Sequence, residues 1–219
     1  MREILNIGRK LRPRGGILYG TLGCFATDGA GQVHLVTCDH VLRPPMLPEK
    51  DRWNIYFHLD NPFPESVATY TGKTLAPDLT ADLAAAECLL EVPRPEILPA
   101  PLPESGFDKL DSIIEPAPGI PLWVWGAASE HYFSGTVQDT GADHRWPHPN
   151  YGMIAWREQF SVKVKGELAT GDSGGPVVTG KGQLAGFISG HLQVGPHEAV
   201  AYCVPAHSCF SLMGLELLI

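Results

Sequence analysis

The sharpest chemical signal in the chain is Gly171-Asp172-Ser173-Gly174-Gly175-Pro176. Glycines on both sides of a serine let the backbone turn tightly and aim N–H groups at one point, which is what an oxyanion needs. A serine hydroxyl is a poor nucleophile unless a base takes its proton and a third group orients that base. The sequence offers both upstream. His40 lies in Leu35-Val36-Thr37-Cys38-Asp39-His40-Val41-Leu42, just after an apolar strand pattern, and Asp82 lies in Thr80-Ala81-Asp82-Leu83-Ala84, just before another. Asp78, in the turn-like Pro77-Asp78-Leu79, reads as a solvated residue, which leaves Asp82 as the orienting carboxylate. The bland reading of Ser173 is a glycine-rich turn without activity, and the ordered histidine and aspartate argue against it.

The elements that would position these groups read as β. Residues 16–27 and 33–37 are strand-like and flank Asp28-Gly29-Ala30-Gly31, a hairpin turn signal. Residues 53–58, 66–70 and 83–92 supply further short strands. Strands resume at 122–126, 132–140, 153–164, 176–179, 184–189 and 199–204, and residues 206–219 carry apolar side chains at mixed helical spacings. Between the two sets, residues 93–121 hold eight prolines, too many missing donors for a central strand or a helix. The expected organisation is therefore a basic arm over 1–16, a first barrel over 17–92 with His40 and Asp82, a connection over 93–121, and a second barrel with a C-terminal helix over 122–219 with Ser173. The arm has a net charge of +4 against −12 for the remainder and is expected to be a solvated tail, the alternative being that it folds back on the acidic body or docks a partner.

Composition narrows the function classes. The 219 residues suit one large domain or two small ones, and a net charge of −8 disfavours nucleic acid and anionic membranes as partners. The most apolar run, 120–128, contains a proline and is far too short to span a bilayer. No stretch of signal-peptide type precedes the first glycines, so a cytoplasmic location is expected. Five cysteines (Cys24, Cys38, Cys88, Cys203, Cys209) without a CxxC pair predict free thiols, with Cys24 and Cys38 the one pair placed for a bridge. His144 and His148, with Asp143, lie among prolines and lack a further ligand, so no metal and no cofactor is expected. Gly171-x-Ser173-x-Gly175 also fits the nucleophile elbow of α/β-hydrolases, but their triad runs serine, acid, histidine. Only 46 residues follow Ser173, none is Asp, and Val177-Val178-Thr179 reads as strand where that elbow needs a helix.

The order His40, Asp82, Ser173, with spacings of 42 and 91 residues, resembles that of the trypsin-like, chymotrypsin-fold serine endopeptidases. The likeness runs from Gly20-Thr21-Leu22-Gly23 to Ala201-Tyr202-Cys203-Val204-Pro205 and is greatest to the non-secreted bacterial branch. It implies an all-β fold of two six-stranded antiparallel β-barrels with a short C-terminal helix, and a protein or peptide as substrate. Ser173 is then the nucleophile, His40 the general base and acid, Asp82 the group that fixes the imidazole tautomer, and the N–H groups of Gly171 and Ser173 the oxyanion donors. The resemblance places Glu167 at the floor of the primary specificity pocket with Thr170 beside it, and makes Ser189-Gly190-His191 the edge strand that pairs with substrate. An acidic floor favours Arg or Lys before the cut; small or apolar residues are the alternative. No Ile-Val-Gly-Gly-like activation sequence is present to supply Asp172 with a new chain terminus. An unspecific protease would harm a cytoplasm, so narrow specificity or gating by a protein activator or regulator is expected, in bacterial stress or defence signalling. The rival expectation is a silent protease-fold module that binds a peptide or protein.

Overall fold

The computed structural model describes residues 6–13, 19–43, 53–57, 66–78, 80–92, 94–141, 145–148 and 152–219. Among them the chain is mostly β. In order the elements are β1 (Lys10–Pro13), β2 (Gly20–Thr21), β3 (Cys24–Asp28), β4 (Val33–Thr37), α1 (Asp39–Leu42), β5 (Trp53–Phe57), β6 (Ser66–Thr74), β7 (Ala84–Cys88), β8 (Ser112–Ile113), β9 (Pro121–Gly126), β10 (His131–Asp139), β11 (Arg145–His148), β12 (Gly152–Ala155), β13 (Phe160–Lys165), β14 (Pro176–Val178), β15 (Gln183–Gly195), β16 (Glu198–Pro205), α2 (Ala206–Met213) and β17 (Leu215–Leu217).

The C-terminal half forms a closed barrel. Its six strands run β14-β9-β10-β13-β16-β15, and β14 pairs with β15 to complete the ring. The N-terminal half is an eight-stranded antiparallel sheet, β17-β3-β4-β7-β6-β5-β1-β2, which is open among the described residues, so one closed barrel is seen where two were expected. No helix among the described residues is long and apolar enough to cross a membrane.

Alternation builds both cores. Leu11, Leu22, Phe25, Leu35, Ile55 and Leu83 fill the N-terminal core; Phe160, Val162, Val164, Val177, Ala199 and Ala201 fill the barrel. Strand β15 serves both: Leu184 and Phe187 face the first core, Ala185 and Ile188 the second. A strand buried on both faces reads as a continuous apolar run, which is why Leu184-Ala185-Gly186-Phe187-Ile188 shows no period of two. The hairpin β3–β4 pairs Thr27 with Val33 as the turn signal predicts, and Asp28 Oδ1 accepts the Ala30 and Gln32 N–H groups at 3.0 Å each.

Three expectations are corrected. The basic arm is not a solvated tail where it is described: β1 pairs with β2 and β5, and Ile7 and Leu11 are buried. The proline-rich stretch ahead of β9 holds no central strand and no helix among its described residues; it adds only the two-residue β8 at the sheet edge, parallel to β15, and buries Leu98, Leu102 and Leu110. Residues 153–164 are two strands rather than one, β12 pairing with β11 and β13 with β10 and β16. Residues 206–219 are not one helix packed on the barrel. α2 ends at Gly214 in the left-handed conformation, and β17 then pairs with β3 of the N-terminal sheet. Phe210 stacks on Phe187 with ring centroids 6.1 Å apart, so the helix lies against the first core as well.

Candidate active site

Asp82 sits between β6 and β7 with its side chain wholly buried. A buried carboxylate must be hydrogen-bonded to be tolerated. Its Oδ2 accepts from His40 Nδ1 at 2.6 Å and from the Ser189 hydroxyl at 2.8 Å, and its Oδ1 accepts the His40 backbone N–H at 3.2 Å. An ionised carboxylate only accepts, so the imidazole proton is assigned to Nδ1 and Nε2 keeps its lone pair. Asp78, by contrast, is an exposed turn residue.

His40 lies in the one-turn helix α1, its side chain 20% exposed. Burial lowers its pKa, but the charge and hydrogen bond of Asp82, with the charge of Asp39, outweigh that and hold it above the ordinary histidine value. Asp39 escaped the sequence reading although it adjoins His40. It is buried, accepts the Thr74 hydroxyl at 2.6 Å and lies 3.7 Å from the Arg43 guanidinium.

Ser173 comes from the other half of the molecule. Its hydroxyl donates to the Ser189 carbonyl at 3.4 Å, so Ser189 touches both the nucleophile candidate and the buried carboxylate. The turn around it is fixed by Gly174 N–H to Ile188 O at 2.7 Å, Gly175 N–H to Asp172 O at 2.9 Å and Asp172 N–H to Ala169 O at 3.1 Å. The N-terminal sheet grips the same turn: Thr21 N–H donates to Ser173 O at 2.7 Å and Thr21 Oγ1 to Gly171 O at 2.8 Å. Gly174 has φ +87°, and a Cβ there would lie 2.0 Å from Thr37 Oγ1 and 2.3 Å from Thr21 O, so no other residue fits. Among the described residues neither the Gly171 nor the Ser173 N–H meets an acceptor, which leaves two donors beside the serine for a developing oxyanion.

The remaining predicted residues lie before the serine turn and on β15. Glu167 and Thr170 are exposed in the loop before the turn; Ser189 and Gly190 are buried on β15, and His191 is half-buried there. Burial lowers the His191 pKa, partly offset by the charge of Asp172. Strand β15 continues past His191 to Gly195, with Leu192 and Val194 exposed. The bond from Ser189 to Asp82 was not foreseen, since the serine was read as a substrate-facing edge residue and the two are 107 positions apart.

Cys38, His40 and Asp82 offer ligand atoms within 4.8 Å of one another. They already engage each other and their surroundings, with Cys38 Sγ donating to Ile188 O at 3.0 Å and burial pushing its thiol up. All five cysteines are free, Cys24 and Cys38 included. His144 and Asp143, with the side chain of His148, lie outside the described residues.

Residues 20–187 match the model of the trypsin-like peptidase domain. No curated protein matches the sequence. Among solved structures the chain is similar to the Nocardiopsis protease NAPase (TM-score 0.71, 16% identity, 98% of this chain and 100% of that one) and to Thermobifida fusca protease A (0.68, 18%, 99% of each). It is also similar to Cellulomonas bogoriensis chymotrypsin (0.66, 18%, 98% and 99%). Identities this low carry the fold alone. The fold is chymotrypsin-like, and with a family model covering most of its length the chain belongs to the trypsin-like peptidase domain family as a trypsin-like serine protease.

Proposed function

We propose that the protein is an endopeptidase that hydrolyses peptide bonds of protein substrates through an acyl-enzyme on Ser173. The observation that carries this is the bridge formed by Ser189, whose hydroxyl meets Asp82 at 2.8 Å while its carbonyl meets the Ser173 hydroxyl at 3.4 Å, with His40 on the same carboxylate at 2.6 Å. His40 Nε2 takes the Ser173 proton as Oγ attacks the scissile carbonyl, and the Gly171 and Ser173 N–H groups receive the oxyanion. Asp82 holds the Nδ1–H tautomer and stabilises the imidazolium until its proton passes to the leaving amine. Water then enters on the same base and releases the acyl group. The N-terminal sheet, eight-stranded and open among the described residues, is taken to correspond to the first barrel of this fold.

The substrate's backbone is taken to pair along Ser189, Gly190 and His191, with Glu167 and Thr170 near the residue before the cut. A preference for Arg or Lys rests on the charge of Glu167; small or apolar residues are the alternative, and a peptide series varied at that position decides between them. A cytoplasmic site of action, narrow specificity, and control by a protein regulator in bacterial stress or defence signalling complete the proposal.

The deciding experiment is labelling of purified protein with a fluorophosphonate, read by intact mass, with Ser173→Ala and His40→Ala as controls. An adduct on the wild type alone supports the endopeptidase. No adduct under any condition, with peptide binding along β15 retained, supports a silent binding module instead.

A further inference from the structure

The nucleophile turn carries a second buried carboxylate that the proposed chemistry does not use. Asp172 is fully buried. Its Oδ1 accepts the N–H groups of Ala128 at 2.9 Å and Ser129 at 3.3 Å, and its Oδ2 accepts the Ser129 hydroxyl at 3.0 Å and the Ala169 N–H at 2.8 Å. A carboxylate has about four lone-pair sites, and these four donors fill them. All four are neutral, and none is an ammonium or a guanidinium. The turn that supplies three of them leaves β9 at Gly126 and is closed by Glu130 N–H to Gly126 O at 2.7 Å. A Cβ on Gly126 would lie 2.5 Å from the carboxylate, so the chain is cut to admit Asp172 there. The same turn is tied to the N-terminal arm, with Lys10 Nζ 3.1 Å from Glu130 Oε1 and Trp125 Nε1 donating to Gly8 O at 3.2 Å.

We infer that Ser129 and its turn anchor the Asp172 carboxylate through neutral donors, making Ser129 a positioning residue that sets the Gly171 and Ser173 N–H groups. Asp172 stands between these two donors, one residue from each, so its anchorage fixes the peptide planes on either side of it. The charged and titratable groups around it are Glu130 on the turn, Lys10 on β1, His191 on β15 and Tyr19, whose ring abuts Gly171. None of them is a hydrogen-bond partner of the carboxylate, so no ammonium is among the four donors that hold it. The inference rests on the endopeptidase reading for its kinetic consequences and on geometry alone for the anchorage.

The test compares the full chain with Ser129→Ala and Ser129→Thr. Ser129→Ala is expected to lower kcat and the fluorophosphonate labelling rate about tenfold, as loss of one hydrogen bond to a charged group does, with KM changed less than about twofold. Ser129→Thr, which keeps the hydroxyl, restores both. Wild-type activity stays level through alkaline pH and is the same when the N-terminus carries an extension. Amide hydrogen exchange over residues 169–174 quickens in Ser129→Ala and returns in Ser129→Thr, a readout independent of turnover. Unchanged exchange and labelling in Ser129→Ala, or an alkaline decline abolished by blocking the terminus, overturns the inference. A wild type that never labels, with exchange still responding to Ser129→Ala, defeats the endopeptidase reading and leaves the anchorage standing.

Discussion

Ser189→Ala isolates the contact that joins Asp82 to the other half of the molecule. The substitution removes one of the donors to a fully buried carboxylate, the 2.8 Å bond from Ser189, and leaves the two from His40 at 2.6 and 3.2 Å. A hydrogen bond to a charged group contributes about 1.5–3 kcal/mol, so a stability loss of about 2 kcal/mol is expected, or roughly 4–8 °C in Tm for a chain of this size. Activity responds differently. The imidazole keeps both its bonds to Asp82 and therefore its orientation, so kcat should fall less than about tenfold, far short of the roughly 10⁴ expected when the carboxylate itself is replaced, as in Asp82→Asn. The pH profile carries a sign. With one fewer donor, the Asp82 charge is less satisfied and attracts the imidazolium more strongly, so the His40 pKa rises and the acid limb of kcat/KM moves to higher pH. Thermal melts and a pH series of kcat/KM on wild type and variant measure both effects. An acid limb displaced to lower pH, or a loss of 10⁴ with His40 still in place, would refute this account of Ser189.

Three further outcomes are expected. Because the proposed base His40 has to be neutral to take a proton and its folded pKa is raised, kcat/KM should climb through a midpoint above 6.5; the same shift stabilises the fold fully below 6.5 and is lost as pH rises through the folded pKa, so melts and rates taken across that window move in opposite directions. Gly174→Ala forces a side chain onto φ +87° and into Thr37 Oγ1 and Thr21 O, and should abolish labelling while costing at least about 1–2 kcal/mol in denaturant melts. Burial raises all five thiol pKa values, Cys88 and Cys209 to about 12, so a disulfide reagent should react slowly with native protein and with five thiols once it is unfolded.

What the sequence discloses about this molecule is what short-range physics controls. The β3–β4 hairpin follows from Asp28 and the glycines, since the turn is closed by the aspartate's own neighbours. The serine turn is legible because only glycine tolerates Gly174's conformation, and the order of His40, Asp82 and Ser173 is a property of the string. The elements that were missed are short and depend on distant partners. Strand β1 has four residues, two of them basic, and exists because β2 and β5 pair with it. Strand β17 has three residues and looks like a continuing helix until Gly214 stops α2 and β3 receives the chain. Nothing in Ser129 or Ser189 marks them as carboxylate partners, because the 43- and 107-residue separations are closed only by the fold.

The same long-range contacts bear on how the site fails. Thr21 holds Ser173 and Gly171, Cys38 reaches Ile188, and Ser189 reaches Asp82, so bonds that position the reacting groups run between the N-terminal sheet and the barrel. The barrel's own ladder, closed by β14 against β15, does not need them. A separation of the two halves too small to unfold either core would therefore part His40 and Asp82 from Ser173 and release Thr21 from the Ser173 turn together. The chain's ends resist such a separation, since β17 follows α2 out of the barrel onto β3 while Gly8 accepts from Trp125 of β9. Activity in mild denaturant should accordingly decline before the far-ultraviolet signal does, and disruption of the β17–β3 pairing by Glu216→Pro, which removes an N–H from that ladder, should widen the interval between the two transitions.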